Sequence, residues 1–157
     1  MTETDRTAGT ARDLDRLEEL VAADRGLAVA AISRADGSVQ ASVVNAGGLA
    51  HPLTGERVVG FVAIGGSVKL RLLRRRPHAT LVLRSGWRWM TVEGAVTLIG
   101  PDDPLEGFDM TRLPQLLRDV FLSTGATHDD WPTYDRVMAE ERRCAVLVRP
   151  ERVYGVG

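Results

Sequence analysis

The sequence is short of several things at once. Among its 157 residues there is one cysteine, Cys144, and one lysine, Lys69, although 20 residues are basic. A single cysteine excludes an internal disulfide. Its place in the apolar run Cys144-Ala-Val-Leu-Val148 marks a small buried residue rather than a nucleophile. No apolar run reaches the roughly 18 residues of a membrane span. The N-terminus is polar and lacks a signal peptide's apolar core, so the expectation is a cytoplasmic protein with no membrane partner. The formal net charge of −1 excludes a polycation that holds nucleic acid by bulk charge. The three histidines, His51, His78 and His128, lie far apart and none belongs to a metal-ligand spacing, so no metal is expected. There is no Gly-x-Ser-x-Gly elbow and no Cys-His signature. With so few candidate acids and bases, an enzyme built on this chain needs a cofactor for its chemistry.

What is present fits one soluble domain. The hydrophobic fraction of 44% and charged fraction of 26% are ordinary for a globule of this length, which buries roughly two-thirds of its unfolded surface. Residues 1–12 are small and polar and are expected to be unstructured, with a single domain from 13 to 157. Leu14, Leu17, Leu20 and Val21 share one helical face from Asp13, and Gly26 is the expected C-cap. A strand follows, then an Asp36-Gly37 hairpin signal and a returning strand through Val43, Val44 and Asn45. The glycines and proline of residues 47–56 read as a loop. Arg57 to Ile64 is a third strand. Ser67 caps a helix that Pro77 closes. Two more strands come next, the second alternating from Met90 to Leu98. Helices near 113–123 and 132–143 and one final strand from Cys144 complete the chain. Most strands are joined by turns, which predicts an α+β fold: an antiparallel sheet curled into a small barrel with helices over its ends.

The stretch Gly65-Gly66-Ser67-Val68-Lys69 carries the most chemistry. Glycines let backbone approach a ligand. A helix start offers free N–H groups and the positive end of the dipole. Ser67 adds a hydroxyl and Lys69 a mobile point charge suited to phosphate. A plain strand-to-helix turn with a solvated lysine has the same sequence. The spacing is not that of a Walker loop. Beyond it, Arg71, Arg74, Arg75 and Arg76 are either a solvated face or an attractor for a polyanionic tail. Trp87 and Trp89, two apart, would share a strand face, lining a ring pocket, a subunit contact or simply the core.

The run RVVGFVAIGGSVKLRLLRRRPHATLVLRSGWRWMTVEGAVTLIGPDD, residues 57–103, resembles the pyridoxamine 5'-phosphate oxidase-like split β-barrel superfamily. It is closest in pattern to the actinobacterial branch that uses the deazaflavin coenzyme F420. The resemblance continues through THDDWPTYDRVMAEERR to the closing strand. It implies an FMN-binding split β-barrel fold, an antiparallel six-stranded barrel flanked by helices. It also implies a homodimer with two cofactor sites between subunits. Phe61, Val62, Ala63 and Ile64 would lie along the flavin-like ring through their backbone, followed by Gly65 and Gly66. Ser67 and Lys69 match the phosphate-binding positions. Val43, Val44 and Asn45 would stand near the ring, and Trp87 and Trp89 at the pocket wall or dimer seam. Two positions depart from the pattern. Val68 stands where Arg is frequent, and Leu72 where Asn is common. Losing that Arg removes a bidentate phosphate donor, and Arg71 is the candidate to replace it. The implied function is an F420-dependent oxidoreductase passing a hydride to a small unsaturated or heteroaromatic substrate. The alternatives are an FMN-binding relative and a non-catalytic protein that sequesters the cofactor. Tyr134 and His51 are the candidate proton donors, with solvent as the other source.

Overall fold

The computed structural model describes residues 3–156, with side chains from residue 13 to residue 156. The side chains of 1–12, expected to be unstructured, lie outside the described residues. Helix α1 spans Glu3–Asp24, so its backbone starts well before the periodic stripe at Asp13. Extending an existing helix adds one hydrogen bond per residue and needs no apolar face. Its end differs in detail from the expectation. Arg25 takes the left-handed conformation (φ 51°), and Gly26 follows with φ 72° and donates to Val21 O at 2.9 Å. Gly26 is also a packing requirement, since a Cβ there would stand 2.0 Å from Ala46 O.

The strands are β1 Leu27–Ser33, β2 Val39–Asn45, β3 Gly47–Ala50, β4 Arg57–Ala63, β5 His78–Ser85, β6 Arg88–Ile99, β7 Cys144–Val148 and β8 Arg152–Val156. The remaining helices are α2 Val68–Arg75, α3 Leu113–Ser123 and α4 Trp131–Glu140. All pairings are antiparallel. They run β2-β1-β5-β6-β7-β4-β3, with β8 added on β6. The α+β barrel is therefore open, and its sheet holds eight strands where six were expected.

Two local features account for the extra strands. Residues 47–50, read as loop, pair with β4 from Gly47↔Gly60 to Ala50↔Arg57. Gly47 is there because a Cβ would stand 2.3 Å from Ser123 Oγ of α3, so a glycine taken for a turn signal is a contact point. The final strand is broken at Pro150, which cannot donate to a ladder. The piece before it, β7, pairs with the second half of β6, and the piece after it, β8, pairs with the first half. The chain crosses β6 at Gly94, where a Cβ would stand 1.6 Å from Arg149 O.

The core has two compartments. Inside the barrel, Leu17 and Leu20 of α1 and Leu70 and Leu73 of α2 meet Ile32, Phe61, Leu81, Leu83 and Val92. Outside it, Leu116, Leu117 and Val120 of α3 and Tyr134 of α4 cover Val58, Ala145 and Leu147. The sheet between them is buried on both faces, which is why β7 is apolar at every position. No described helix is long and apolar enough to cross a membrane.

Cys144 is 1% exposed, and burial, with the Asp103 carboxylate nearby, pushes its thiol up to about 12. The native protein is expected to resist thiol-disulfide reagents at pH 8 and to react with one equivalent once unfolded. Fast labelling of the native state would contradict this burial. The stabilising share of this thiol is present below its unfolded value of 9.0 and is lost as pH rises from there towards about 12.

Candidate functional site

The split in the barrel is where the chemistry gathers. β2 and β3 nearly form one strand, interrupted at Ala46, whose N–H turns away to Gly26 O at 2.8 Å. Before the interruption the chain pairs with β1, and after it with β4. β2 passes β4 without a hydrogen-bonded ladder. β4 has β7 along one edge up to Ala63, but β3 covers the other edge only as far as Gly60. From Phe61 to Ala63 that second edge has no backbone partner among the described residues. Peptide groups so placed require some other partner, water or a ligand.

A side-chain bridge closes one end of this groove and a cavity opens at the other. At one end Lys69 Nζ donates to Ser42 Oγ of β2 at 3.1 Å, so the single lysine spans the split. Next to Lys69, the Ser67 hydroxyl accepts from Leu70 N at 3.4 Å and caps α2, as its sequence position indicates. Its own proton is left to donate. The first N–H groups of α2, on Val68 and Lys69, have no partner among the described residues. Gln40 lies on the Ser42 side of β2, and its amide oxygen is buried with no hydrogen-bond partner among the described residues. At the other end Asn45 and Val62 come together in a cavity of about 220 Å³ whose far wall is Phe121, Tyr134, Met138 and Arg143.

The expected site residues divide accordingly. Asn45, Val62, Ser67 and Lys69 face the groove or close its ends. Phe61, Ala63 and Val44 are buried in the barrel, so only the backbone of Phe61 and Ala63 reaches the groove. Ile64, Val68 and Arg71 are exposed around the α2 start. Val43 is 67% exposed on the outer sheet face.

The two glycines have separate explanations. Gly66 adopts φ 75°, the turn conformation. Gly65 packs on the turn that follows α4: a Cβ would meet Arg142 Cβ at 2.7 Å, and its N–H donates to Glu141 O at 2.9 Å. Close approach at Gly65 therefore serves the fold.

Trp87 and Trp89 do not share a strand. Trp87 sits in the β5–β6 hairpin turn, 94% exposed, whereas Trp89 is in β6 and meets Tyr154 edge-to-face at 6.1 Å. Within one chain neither lines the cavity with Asn45 and Val62. The proton-donor candidates are also engaged elsewhere. The Tyr134 hydroxyl donates to Leu117 O at 3.1 Å, and burial pushes it up to about 12. His51 is outside the groove, its Nδ1 accepting from Leu53 N (3.2 Å) and Thr54 N (3.4 Å).

The arginine cluster is partly neutralised. Arg74 makes two bonds of 2.8 Å to the Asp103 carboxylate, and Arg142 pairs with Asp102. Both acids lie in one turn, which clamps α2 and the end of α4 together behind Gly65. Asp103→Asn is expected to cost about 1–2 kcal/mol of stability, read as a lowered Tm. Arg71, Arg75 and Arg76 have no carboxylate partner among the described residues.

Several site residues were beyond the sequence reading. Ser42 and Gln40 could have been found, since Gln40, Ser42 and Val44 alternate on one face of a strand and two of them are polar. Phe121, Thr124 and Arg143 carry no local signal, because only the packing of α3 and α4 onto the outside of β4 brings them to Asn45.

No family model and no curated protein matches the chain. Solved structures do, at low identity. A conserved hypothetical protein from Mycobacterium tuberculosis is 18% identical, covers 99% of this chain and 84% of its own, and superposes with a TM-score of 0.62. An F420 reductase is 18% identical over 87% of this chain and 94% of its own, with a TM-score of 0.58. A pyridoxamine 5'-phosphate oxidase-related, FMN-binding protein from Nostoc punctiforme is 20% identical over 93% of this chain and 80% of its own, with a TM-score of 0.60. The chain has the split β-barrel fold of the pyridoxamine 5'-phosphate oxidase-like proteins.

Proposed function

We propose that this protein is a homodimeric oxidoreductase that binds the deazaflavin coenzyme F420 along the split of its barrel. The observation that carries the reading is the unpaired edge of Phe61–Ala63, which leads directly into the Ser67–Lys69 helix start. The residues present fit such a group. Peptide groups on the β4 edge offer hydrogen bonds to a flat ring. The buried amide oxygen of Gln40 lacks the donor that a sugar-alcohol hydroxyl supplies. Ser67 Oγ, Lys69 Nζ and the free N–H groups of α2 suit a phosphate.

Bound and reduced, F420 would supply a hydride to an unsaturated bond of a small substrate. This chain's part is to bind and orient. Tyr134, committed to Leu117 O, shapes the cavity and does not move a proton. The outer face of β1, β2 and β8 supports the dimer, since Leu27, Val29, Val39, Val43, Tyr154 and Val156 leave it apolar and exposed. Trp87 and Trp89 border that face and belong to the subunit contact.

FMN is the second reading, favoured by the FMN-binding protein of the same fold. Exposed Arg71, Arg75 and Arg76 separate the two. F420 carries a polyanionic tail and FMN a single phosphate, so F420 affinity is expected to fall more steeply with salt. Fluorescence titration with each cofactor at low and high salt checks this. Binding of neither cofactor overturns the reading, and equal salt slopes remove the role of the arginines.

A further inference from the structure

The cavity that holds Asn45 and Val62 continues into a second one. The first, about 220 Å³, is lined by apolar and aromatic groups of β4, α3 and α4, with Arg143 at its edge. The second, about 400 Å³, shares Asn45, Phe121 and Thr124 with it and reaches Arg25 and Thr127. The two therefore form one cleft from the split of the barrel to the α3–α4 connection.

Its walls have an uneven chemistry. Phe121 packs with Tyr134 (5.1 Å between ring centroids), Trp131 (6.1 Å) and His128 (6.2 Å), which makes a stiff aromatic wall. Arg118 stabilises that wall from behind. It stacks 5.1 Å over Trp131 and is held by two bonds to Asp135. Two arginines, Arg25 and Arg143, border the cleft, and no carboxylate lines either part. Arg143 Nε donates to Glu141 at 2.6 Å, and its terminal nitrogens have no partner among the described residues. An Arg with unused planar donors beside an apolar aromatic wall selects a flat ring carrying an oxyanion.

We propose that the cleft binds a planar aromatic carboxylate, with the ring against Phe121 and Tyr134 and the carboxylate on Arg143. The inference rests on the cofactor reading only in calling that molecule the substrate. Binding itself needs no cofactor, so the two fail separately.

The test uses the full-length protein without added cofactor and three probes: naphthalene-2-carboxylate, its neutral carboxamide, and the non-aromatic dicarboxylate glutarate. Calorimetry at pH 7 is expected to show the naphthoate at least tenfold tighter than either of the others. Arg143→Gln should reduce the preference for carboxylate over carboxamide to under threefold, and Arg143→Lys should retain part of it. Equal binding of carboxylate and carboxamide, glutarate binding as tight as naphthoate, or no naphthoate binding overturns the proposal. The comparison of probes on the unaltered chain stands even if the Arg143 variants fold poorly.

Discussion

Replacing Lys69 with alanine is expected to weaken cofactor binding by about tenfold to a hundredfold while leaving the protein folded. Lys69 Nζ is the only side-chain ammonium in the molecule and sits at the start of α2, held to Ser42 of the facing strand. A hydrogen bond from a charged donor contributes about 1.5–3 kcal/mol, which sets that range. Ser42→Ala is the matched comparison. It leaves the charge in place and removes only the neutral anchor, so its effect should stay within about threefold. Fluorescence titration of both variants, with Tm as the folding control, decides the matter. Unchanged affinity in Lys69→Ala would place the phosphate elsewhere. An arginine at this position would not rescue fully, because the stem of Lys69 is half-buried and its partner accepts one point donor.

The second large effect concerns assembly. Val29 and Val43 face each other across the β1–β2 pair and are 42% and 67% exposed in the single chain. If this face meets its own copy, each substitution counts twice, because a two-fold interface repeats every contact. Val29→Glu loses about 2 kcal/mol of apolar burial per subunit, before the cost of a buried carboxylate. The dimer should therefore weaken by about a thousandfold or more. Sedimentation equilibrium at micromolar protein is expected to give a dimer for the unaltered chain and a monomer for the variant. A monomeric unaltered chain, or a variant of unchanged mass, contradicts the assembly. Circular dichroism should be unaffected, because Val29 points away from both core compartments.

Elements whose cause is local were legible in the sequence. Ser67 caps α2 because a hydroxyl before an apolar-periodic run has one good use, and Leu70 and Leu73 fall on the buried face as the period requires. The apolar run at Cys144 marked a strand with a buried cysteine, and β7 is that strand. Features that depend on distant parts of the chain were misread. Gly47 looked like a loop glycine, yet it is small because Ser123 of α3 touches it. Trp87 and Trp89 looked like a strand pair, but Gly86 turns the chain just before Trp87. In the candidate site, the side of α2 that offers donors was legible. The strand wall opposite was not, because the pairing that brings Ser42 to Lys69 spans the split and leaves no trace in spacing.

The place of β7 has a consequence for how the chain folds. It lies between β6 and β4 in the sheet, yet in chain order it follows both. Until residues 144–148 are synthesised, β4 and the second half of β6 each present an open edge, and the wall between the two core compartments is incomplete. A nascent chain ending before Cys144 should be sticky rather than compact, and closure must wait for pairings of long sequence separation. The barrel is thus completed late and at once, which makes a chaperone or prompt release from the ribosome most valuable in the interval before β7 emerges.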